Sequence, residues 1–393
     1  MTKNKQHEET MTFHTWLALI GLTCSGFIFN TSEYVPIGLM SSISTDFGIT
    51  MAKGGMLISV YAWVVMILSL PLMLMVSKIE LRKLILCVIG VFVACQLMSF
   101  LSTGYPMLMA SRIGVACTHA IFWSIVSPIA VRIVPQSCQA LALSAIVTGT
   151  SVAMIVGMPL ARVIGLMIGW RMTFLCVGAF ALLSLIHLYF TLPKVSSCGG
   201  FSVKELPALF KNKSLVSLYM FVFLVITTYY ISYSYVEPFL KQVVNMPDNI
   251  ITGTLMIFGV AGIVGSLSFS KFYIRNRYRF IMVALFNFLL CFALIYPLSF
   301  SIPVIVVLCG LWGISITSFS VSMQSEIISH SSKEAASVAM SIYSSVFNLG
   351  IGSGALIGGA VCTYSNIAYI GFAGAIMCLL AITFWYIRMK KLI

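Results

Sequence analysis

A chain of 393 residues could hold two or three soluble domains, yet 60% of this one is apolar and only 8% is charged, against roughly a quarter charged in a typical soluble domain. So few charges cannot cover a water-facing surface over this many Leu, Ile, Phe and Met side chains, so a soluble fold is excluded and lipid must solvate most of the chain. The net charge of +13, from 23 basic and 10 acidic residues, is therefore a question of topology before it is one of nucleic-acid binding.

Apolar runs follow one another along the chain at approximately 15–40, 55–77, 83–103, 106–134, 138–168 and 172–192, and then at 214–240, 250–273, 280–300, 302–328, 334–362 and 366–387. Each approaches or exceeds the ~20 residues that a helix needs to cross a bilayer. The expectation is an all-α polytopic membrane protein with twelve transmembrane helices. Residues 1–14 are polar and mixed in charge, and the run behind them is longer than the ~7–15 residues of a signal-peptide core, so the first span is expected to be an uncleaved anchor.

With the amino terminus inside, one face carries Lys3, Lys5, Lys78, Arg82, Lys83, Arg132, Lys194, Lys204, Lys211, Lys213, Lys271, Arg275, Arg277, Arg279, Lys333, Arg388, Lys390 and Lys391, which is 18 of the 23 basic residues. The other face holds only Lys53, Arg171 and Lys241, while Arg112 and Arg162 fall inside spans. This bias predicts both termini in the cytoplasm and accounts for the positive charge without a nucleic-acid partner.

The polar stretch from Pro193 to Lys213 divides the spans six and six. It predicts a six-helix bundle over 1–192, a cytoplasmic linker over 193–213 and a second bundle over 214–393. In the fifth span Gly149, Ala153, Gly157, Ala161, Gly165 and Gly169 recur every four residues, and in the eleventh Gly350, Gly354 and Gly358 do so. Such spacing puts small residues on one helix face, where another backbone can approach closely. Two stripes at matching positions predict two pseudo-symmetric bundles, the organisation of a secondary transporter with its substrate site between repeats.

Of the eleven cysteines, Cys24, Cys87, Cys95, Cys117, Cys176, Cys291, Cys309 and Cys378 lie in apolar runs. No C-x-x-C pair occurs, so reduced thiols are expected. No H-E-x-x-H, Walker A or G-x-S-x-G pattern appears. No metal, cofactor or enzymatic activity is expected.

Ionisable groups inside spans cost about 2.5–3.5 kcal/mol each on insertion scales and so call for a reason. In the first span Asn30 and Glu33 share a helical face. In the second, Trp63 could stack on a sugar-sized solute, with core packing as the alternative. In the fourth, Arg112, His119 and Trp123 share a face with Ala116. Glu33 and Arg112 sit at equal depth, roughly 10 Å below the outer surface at 1.5 Å per residue, which makes them natural partners. An arginine that approaches and withdraws would let Glu33 release and load one proton per cycle. Arg162 in the fifth span is expected to snorkel to the outer interface. In the seventh, Tyr230, Tyr233 and Glu237 share a face, Glu237 being a possible functional carboxylate and Tyr235 a candidate for an aromatic belt. Asn348 in the eleventh span, near Tyr343 and Ser344, is a further candidate hydrogen-bonder.

Several of these segments resemble the major facilitator superfamily, specifically its drug:proton antiporter-1 branch. Gly149 to Gly165, with Gly157-Met158-Pro159-Leu160, looks like the antiporter motif of the fifth helix. Leu108 to Gly114 resembles a fourth-helix motif whose arginine is associated with proton coupling, and Gly169-Trp170-Arg171-Met172-Thr173-Phe174 is similar to the branch's fifth-to-sixth loop. Within the branch the chain resembles bacterial sugar efflux transporters that export arabinose and related sugars. That likeness rests on Phe29-Asn30-Thr31-Ser32-Glu33-Tyr34-Val35-Pro36, Tyr61-Ala62-Trp63-Val64-Val65, His119-Ala120-Ile121-Phe122-Trp123-Ser124 and Tyr233-Ser234-Tyr235-Val236-Glu237-Pro238-Phe239.

The resemblance implies the major facilitator fold and proton-driven sugar export across a bacterial inner membrane by a monomer. Substrate would be bound by Asn30, Trp63, His119, Trp123, Tyr230, Tyr233 and Asn348, with Glu33 and Arg112 coupling the proton. The loop Ser77-Lys78-Ile79-Glu80-Leu81-Arg82-Lys83 departs from the superfamily pattern, which places an acidic residue before a Gly-Arg-Lys run. This puts the usual cytoplasmic latch between halves in question. An exporter of lipophilic drugs would share the fold; a channel or membrane-embedded enzyme would need features not found here.

Overall fold

The computed structural model describes residues 11–76, 78–197, 211–331 and 336–388. Lys3, Lys5, Ser77, Lys204, Lys333, Lys390 and Lys391, and positions 198–210 of the expected linker, lie outside the described residues. Twelve helices are long and apolar enough to cross a bilayer, and no strand occurs among the described residues. They are α1 Phe13–Gly38, α2 Met51–Met73, α3 Leu81–Phe100, α4 Tyr105–Ile133, α5 Gln136–Ile168, α6 Trp170–Thr191, α7 Lys213–Gln242, α8 Asp248–Tyr273, α9 Arg277–Leu294, α10 Ile302–Ser329, α11 Val338–Tyr364 and α12 Ile367–Arg388. An even number of crossings brings both ends of the described chain to one side, here the terminal face; the other is the distal face.

Two hydrophobic cores form. One is built from α1–α6 around residues such as Phe29, Phe92, Phe122 and Phe174. The other draws mainly on α7–α12 around Phe221, Phe288, Trp312 and Trp385, and takes in Ile37, Met40, Ile58, Ala62 and Met158 from the first six-helix set. Those five side chains are part of the seam where the two sets meet.

The small-residue stripes bed equivalent helix pairs. A Cβ added to Gly149 of α5 would lie 2.6 Å from the Thr23 carbonyl oxygen of α1, and one added to Gly354 of α11 would lie 2.6 Å from the Thr227 carbonyl oxygen of α7. The fifth helix of each set thus rests on the backbone of the first. Gly169 departs from the expected stripe: a Cβ there would meet nothing within 4 Å, and φ of +96° makes it the turn between α5 and α6, a conformation that favours glycine. Gly354→Val should destabilise the protein by about 1–3 kcal/mol or more, since the opposing atoms are backbone and cannot repack. Gly253→Ala, whose Cβ meets nothing within 4 Å, should leave thermal unfolding in detergent unchanged.

Two irregularities shape the helices near the middle of the protein. In α5 the stretch Ala153–Gly157 is a π-helical turn, followed at once by Met158-Pro159. α7 is broken at Ser234 and Tyr235, between helical pieces Lys213–Tyr233 and Val236–Gln242. The break turns Tyr235 inward: its ring is fully buried against Gly358 and its hydroxyl donates to the Ala355 carbonyl oxygen at 2.9 Å. It is therefore not part of an interfacial aromatic belt, because the broken helix aims it at the glycine face of α11.

On the terminal face, Arg82 donates to the Tyr189 carbonyl oxygen at 2.7 Å, and Lys83 lies 3.8 Å from Glu80. Both contacts stay within the first six helices.

Candidate functional site

A cavity of about 470 Å³ lies between the two helix sets. α1 contributes Asn30, Glu33 and Tyr34, α4 contributes His119 and Trp123, and α5 contributes Thr150, Ser151 and Met154. Across from them stand Tyr229 and Tyr230 of α7, Ser320 and Gln324 of α10, and Tyr343 and Asn348 of α11. The helical-face argument works here because residues three or four apart point the same way. Asn30 and Glu33 reach the cavity together, as do His119 and Trp123. On α10 and α11 the lining runs from mid-helix toward the terminal face.

The Glu33 carboxylate faces His119, with Oε2 3.7 Å from Nε2. The other ring nitrogen of His119 is buried without a protein partner. Asn30 donates to the Gly26 carbonyl oxygen at 3.3 Å and Asn348 to that of Ser344 at 3.0 Å, so each keeps its side-chain oxygen free as an acceptor. The result is a carboxylate, an imidazole, three amides and several hydroxyls sharing one chamber, with aromatic walls from Trp123, Tyr34 and Phe347.

Three expected residues sit elsewhere. Arg112 does not pair with Glu33; it is fully buried, its guanidinium 4.7 Å from the Tyr61 ring centroid, and it donates to Ser32 Oγ at 3.2 Å. Gln96 of α3 also donates to Ser32. The side chain at 112 turns to Ser32 of α1 and Tyr61 of α2, so equal depth did not bring the two charges into contact. Trp63 packs on Gly352 at the α2–α11 seam instead of lining the cavity. Tyr233 is stacked among Tyr229, Phe258 and Trp312, and its hydroxyl points at Met158 Sδ, 3.7 Å away.

On the distal side the cavity is closed. Arg162, expected at the interface, is fully buried. Its Nη2 lies 3.3 Å from Glu237 Oε1 and 2.8 Å from Asp248 Oδ1, and Nη1 reaches Thr252 Oγ1 at 3.4 Å. Glu237 Oε2 in turn accepts from the Ser41 backbone N–H at 3.1 Å, and Lys241 Nζ is 3.3 Å from Asp248. Arg162 does not snorkel because two carboxylates from the opposite helix set meet it inside. Arg162 and Ser41 belong to the first set, Glu237 and Asp248 to the second. These bonds therefore clasp the two sets together on the distal face.

Several of these positions carry little signal in the sequence. Ser32 and Gln96 form the polar seat of Arg112, and a lone amide in the third apolar run was the available signal. Gln324 is the corresponding lone amide of the tenth run. Glu326 of α10 is buried and receives the Tyr273 hydroxyl, with Arg277 Nη1 at 3.7 Å and His330 Nδ1 at 3.6 Å; a carboxylate this close to a span end reads as hydrated until those partners are seen.

Residues 22–352 match the sequence family described as Major Facilitator Superfamily. Among solved structures, a bacterial homologue of the human lysosomal transporter Spinster, in an inward-facing and occupied conformation, superposes with a TM-score of 0.77 over 97% of this chain and 98% of its own, at 15% identity. The nucleoside transporter NupG superposes with a TM-score of 0.75 over 95% of this chain and 99% of its own, at 16% identity. A peptide transporter, POT, gives 0.75 over 96% and 95%, at 11% identity. At such identities the likeness concerns the fold.

Proposed function

The chain belongs to the Major Facilitator Superfamily, and from that premise we propose that it is a proton-coupled exporter of sugars, arabinose-like or related small hydroxylated solutes, working by alternating access. The observation that carries this reading is the placement of Glu33 in a chamber whose other polar groups, Asn30, His119, Tyr230, Gln324 and Asn348, come from both helix sets. Hydroxyl-rich molecules need donors and acceptors on all sides. A titratable carboxylate inside the same chamber can make solute and proton binding depend on each other.

The bias of the basic residues supports a cytoplasmic terminal face with both termini on that side; on this reading the chain acts as a monomer in a bacterial inner membrane. In that orientation the cavity is open inward and clasped outward, the state that receives cytoplasmic solute. Protonation from outside would then favour the return. Solute and proton can each drive the exchange only by binding the two states unequally. Glu33 carries the proton, Arg112 tunes it from its seat on Ser32, and His119 stands beside the carboxylate. Trp63 and Tyr233 act at the seams between the sets. The two six-helix units are residues 1–192 and 214–393, joined by 193–213.

The aromatic and apolar part of the lining, Trp123, Phe347, Ile316 and Ile351, supports a second reading, an exporter of lipophilic compounds. Accumulation of labelled arabinose in cells with and without the protein, at imposed pH gradients, separates the two. Sugar export predicts lower accumulation in expressing cells, steepened by an inward proton gradient; no change with any sugar and extrusion of a lipophilic cation would establish the second reading instead. Asn348→Ala should raise the half-saturating sugar concentration by roughly 2- to 10-fold, the effect of losing one hydrogen bond of about 0.5–1.5 kcal/mol. Initial-rate export from inverted vesicles measures it.

A further inference from the structure

A second cavity, of about 540 Å³, opens between α8, α9 and α10 at the terminal face, far in character from the chamber at the seam. We propose that it binds an anionic phospholipid of the leaflet on that face, with the headgroup phosphate on Arg275 and Arg279 and an acyl chain along Phe272, Val283 and Ile314.

The charges at its mouth are unengaged. Arg275 and Arg279 have no carboxylate within 4.0 Å among the described residues, whereas Arg277 between them is committed to Glu326 at 3.7 Å. Lys271 adds a third cation beside the rim, its Nζ 5.4 Å from the Phe272 ring centroid. Two unpaired guanidiniums at one opening suit a phosphodiester, which each can bind in a forked geometry.

The remainder of the wall excludes a merely soluble anion. Val283 is 68% exposed and Phe272 49% exposed, both on the outward surface of spanning helices, where the neighbour is lipid. From Arg279 to Asn287 the lining descends eight residues of α9, about 12 Å at 1.5 Å per residue. Positive charge thus sits at headgroup depth and apolar surface lies in the hydrocarbon. At the floor, the Asn287 amide is already used, donating to the Leu311 carbonyl oxygen at 2.9 Å and to Ser315 Oγ at 2.6 Å. No free donor at the bottom demands a polar solute. Basic pockets between spanning helices on the cytoplasmic side are suited to anionic headgroups on general electrostatic grounds.

The test uses the purified full-length protein in detergent and native mass spectrometry with added phosphatidylglycerol, phosphatidylcholine or inorganic phosphate. The native chain should retain phosphatidylglycerol over phosphatidylcholine. The double variant Arg275→Gln/Arg279→Gln should retain phosphatidylglycerol about tenfold less or weaker, with phosphatidylcholine unchanged. Val283→Trp, which fills the apolar wall and alters no charge, should also weaken phosphatidylglycerol retention; Arg388→Gln, on the same face but outside the cavity, should not. Equal retention by the native chain and the double variant overturns the proposal. So does loss in the double variant with Val283→Trp unaffected, which would place the lipid on the surface charge alone. Inorganic phosphate competing at millimolar concentration would identify a soluble-anion site and also overturn it. Unchanged phosphatidylcholine retention shows that each variant is folded.

Discussion

Glu33→Gln should abolish concentrative, proton-driven transport while leaving solute exchange intact. Glutamine keeps the size and much of the hydrogen bonding of the carboxylate and removes its ability to titrate. One pH unit corresponds to about 1.36 kcal/mol, a tenfold concentration ratio per coupled proton. Reconstituted native protein under an imposed gradient of about one pH unit should therefore drive sugar to as much as about tenfold accumulation per coupled proton, and the variant to none. Exchange of labelled for unlabelled sugar, which needs no net proton movement, should survive because Asn30, Tyr230 and Asn348 still line the chamber. Full accumulation by the variant would remove Glu33 from the coupling path. Loss of exchange as well would mean that the side chain binds solute and that its proton is incidental.

The second large effect concerns the distal clasp. Arg162→Ala would leave Glu237 buried without its cation, since the carboxylate is 1% exposed and its remaining contact is the Ser41 backbone N–H. Removing one partner of a buried pair typically costs about 3–5 kcal/mol. That cost falls on the conformation in which the sets are clasped, so the equilibrium constant should move toward a distally open state by roughly two to three and a half orders of magnitude, at about 1.4 kcal/mol per tenfold. Spin labels at Thr103 and Phe300, introduced into a chain freed of its native cysteines, should report a longer distal separation. The double variant Arg162→Ala/Glu237→Gln should be milder than Arg162→Ala alone, because no orphaned charge remains. An unchanged distance distribution in Arg162→Ala would show that the clasp does not set the resting state.

Much of the architecture was legible because a bilayer restricts a chain so severely. Backbone groups in hydrocarbon must be satisfied within each helix, so apolar run length alone located the twelve spans. Glycine spacing likewise marked the helix faces that admit a neighbouring backbone. Within a single helix, periodicity brought Asn30 with Glu33 and His119 with Trp123 to the same cavity. It could not say which neighbour a face meets. Arg112 and Glu33 share depth, yet Arg112 turns to Ser32 and Tyr61. Arg162 looked like a snorkelling residue because its partners, Glu237 and Asp248, lie 75 and 86 positions along the chain. Trp63 and Tyr233 illustrate the same limit, since a large aromatic side chain suits a cavity wall and a packed seam equally well. Such assignments depend on how the two sets meet, and local pattern carries no record of that.

The π-helical turn at Ala153–Gly157 lies between these two regions. Met154 within it touches the chamber, and Arg162, five residues beyond its end, holds the clasp. A π turn accommodates one residue more than an α turn. Were that surplus residue drawn back into regular winding, everything beyond it would swivel by about 100° and advance by about 1.5 Å. A swivel of that size would carry the guanidinium off both carboxylates while the chamber-facing part of α5 stayed in place. The π turn in α5 thus stores a length of helix, like slack in a cable, whose take-up would release Glu237 and Asp248 while Met154 kept its place at the chamber.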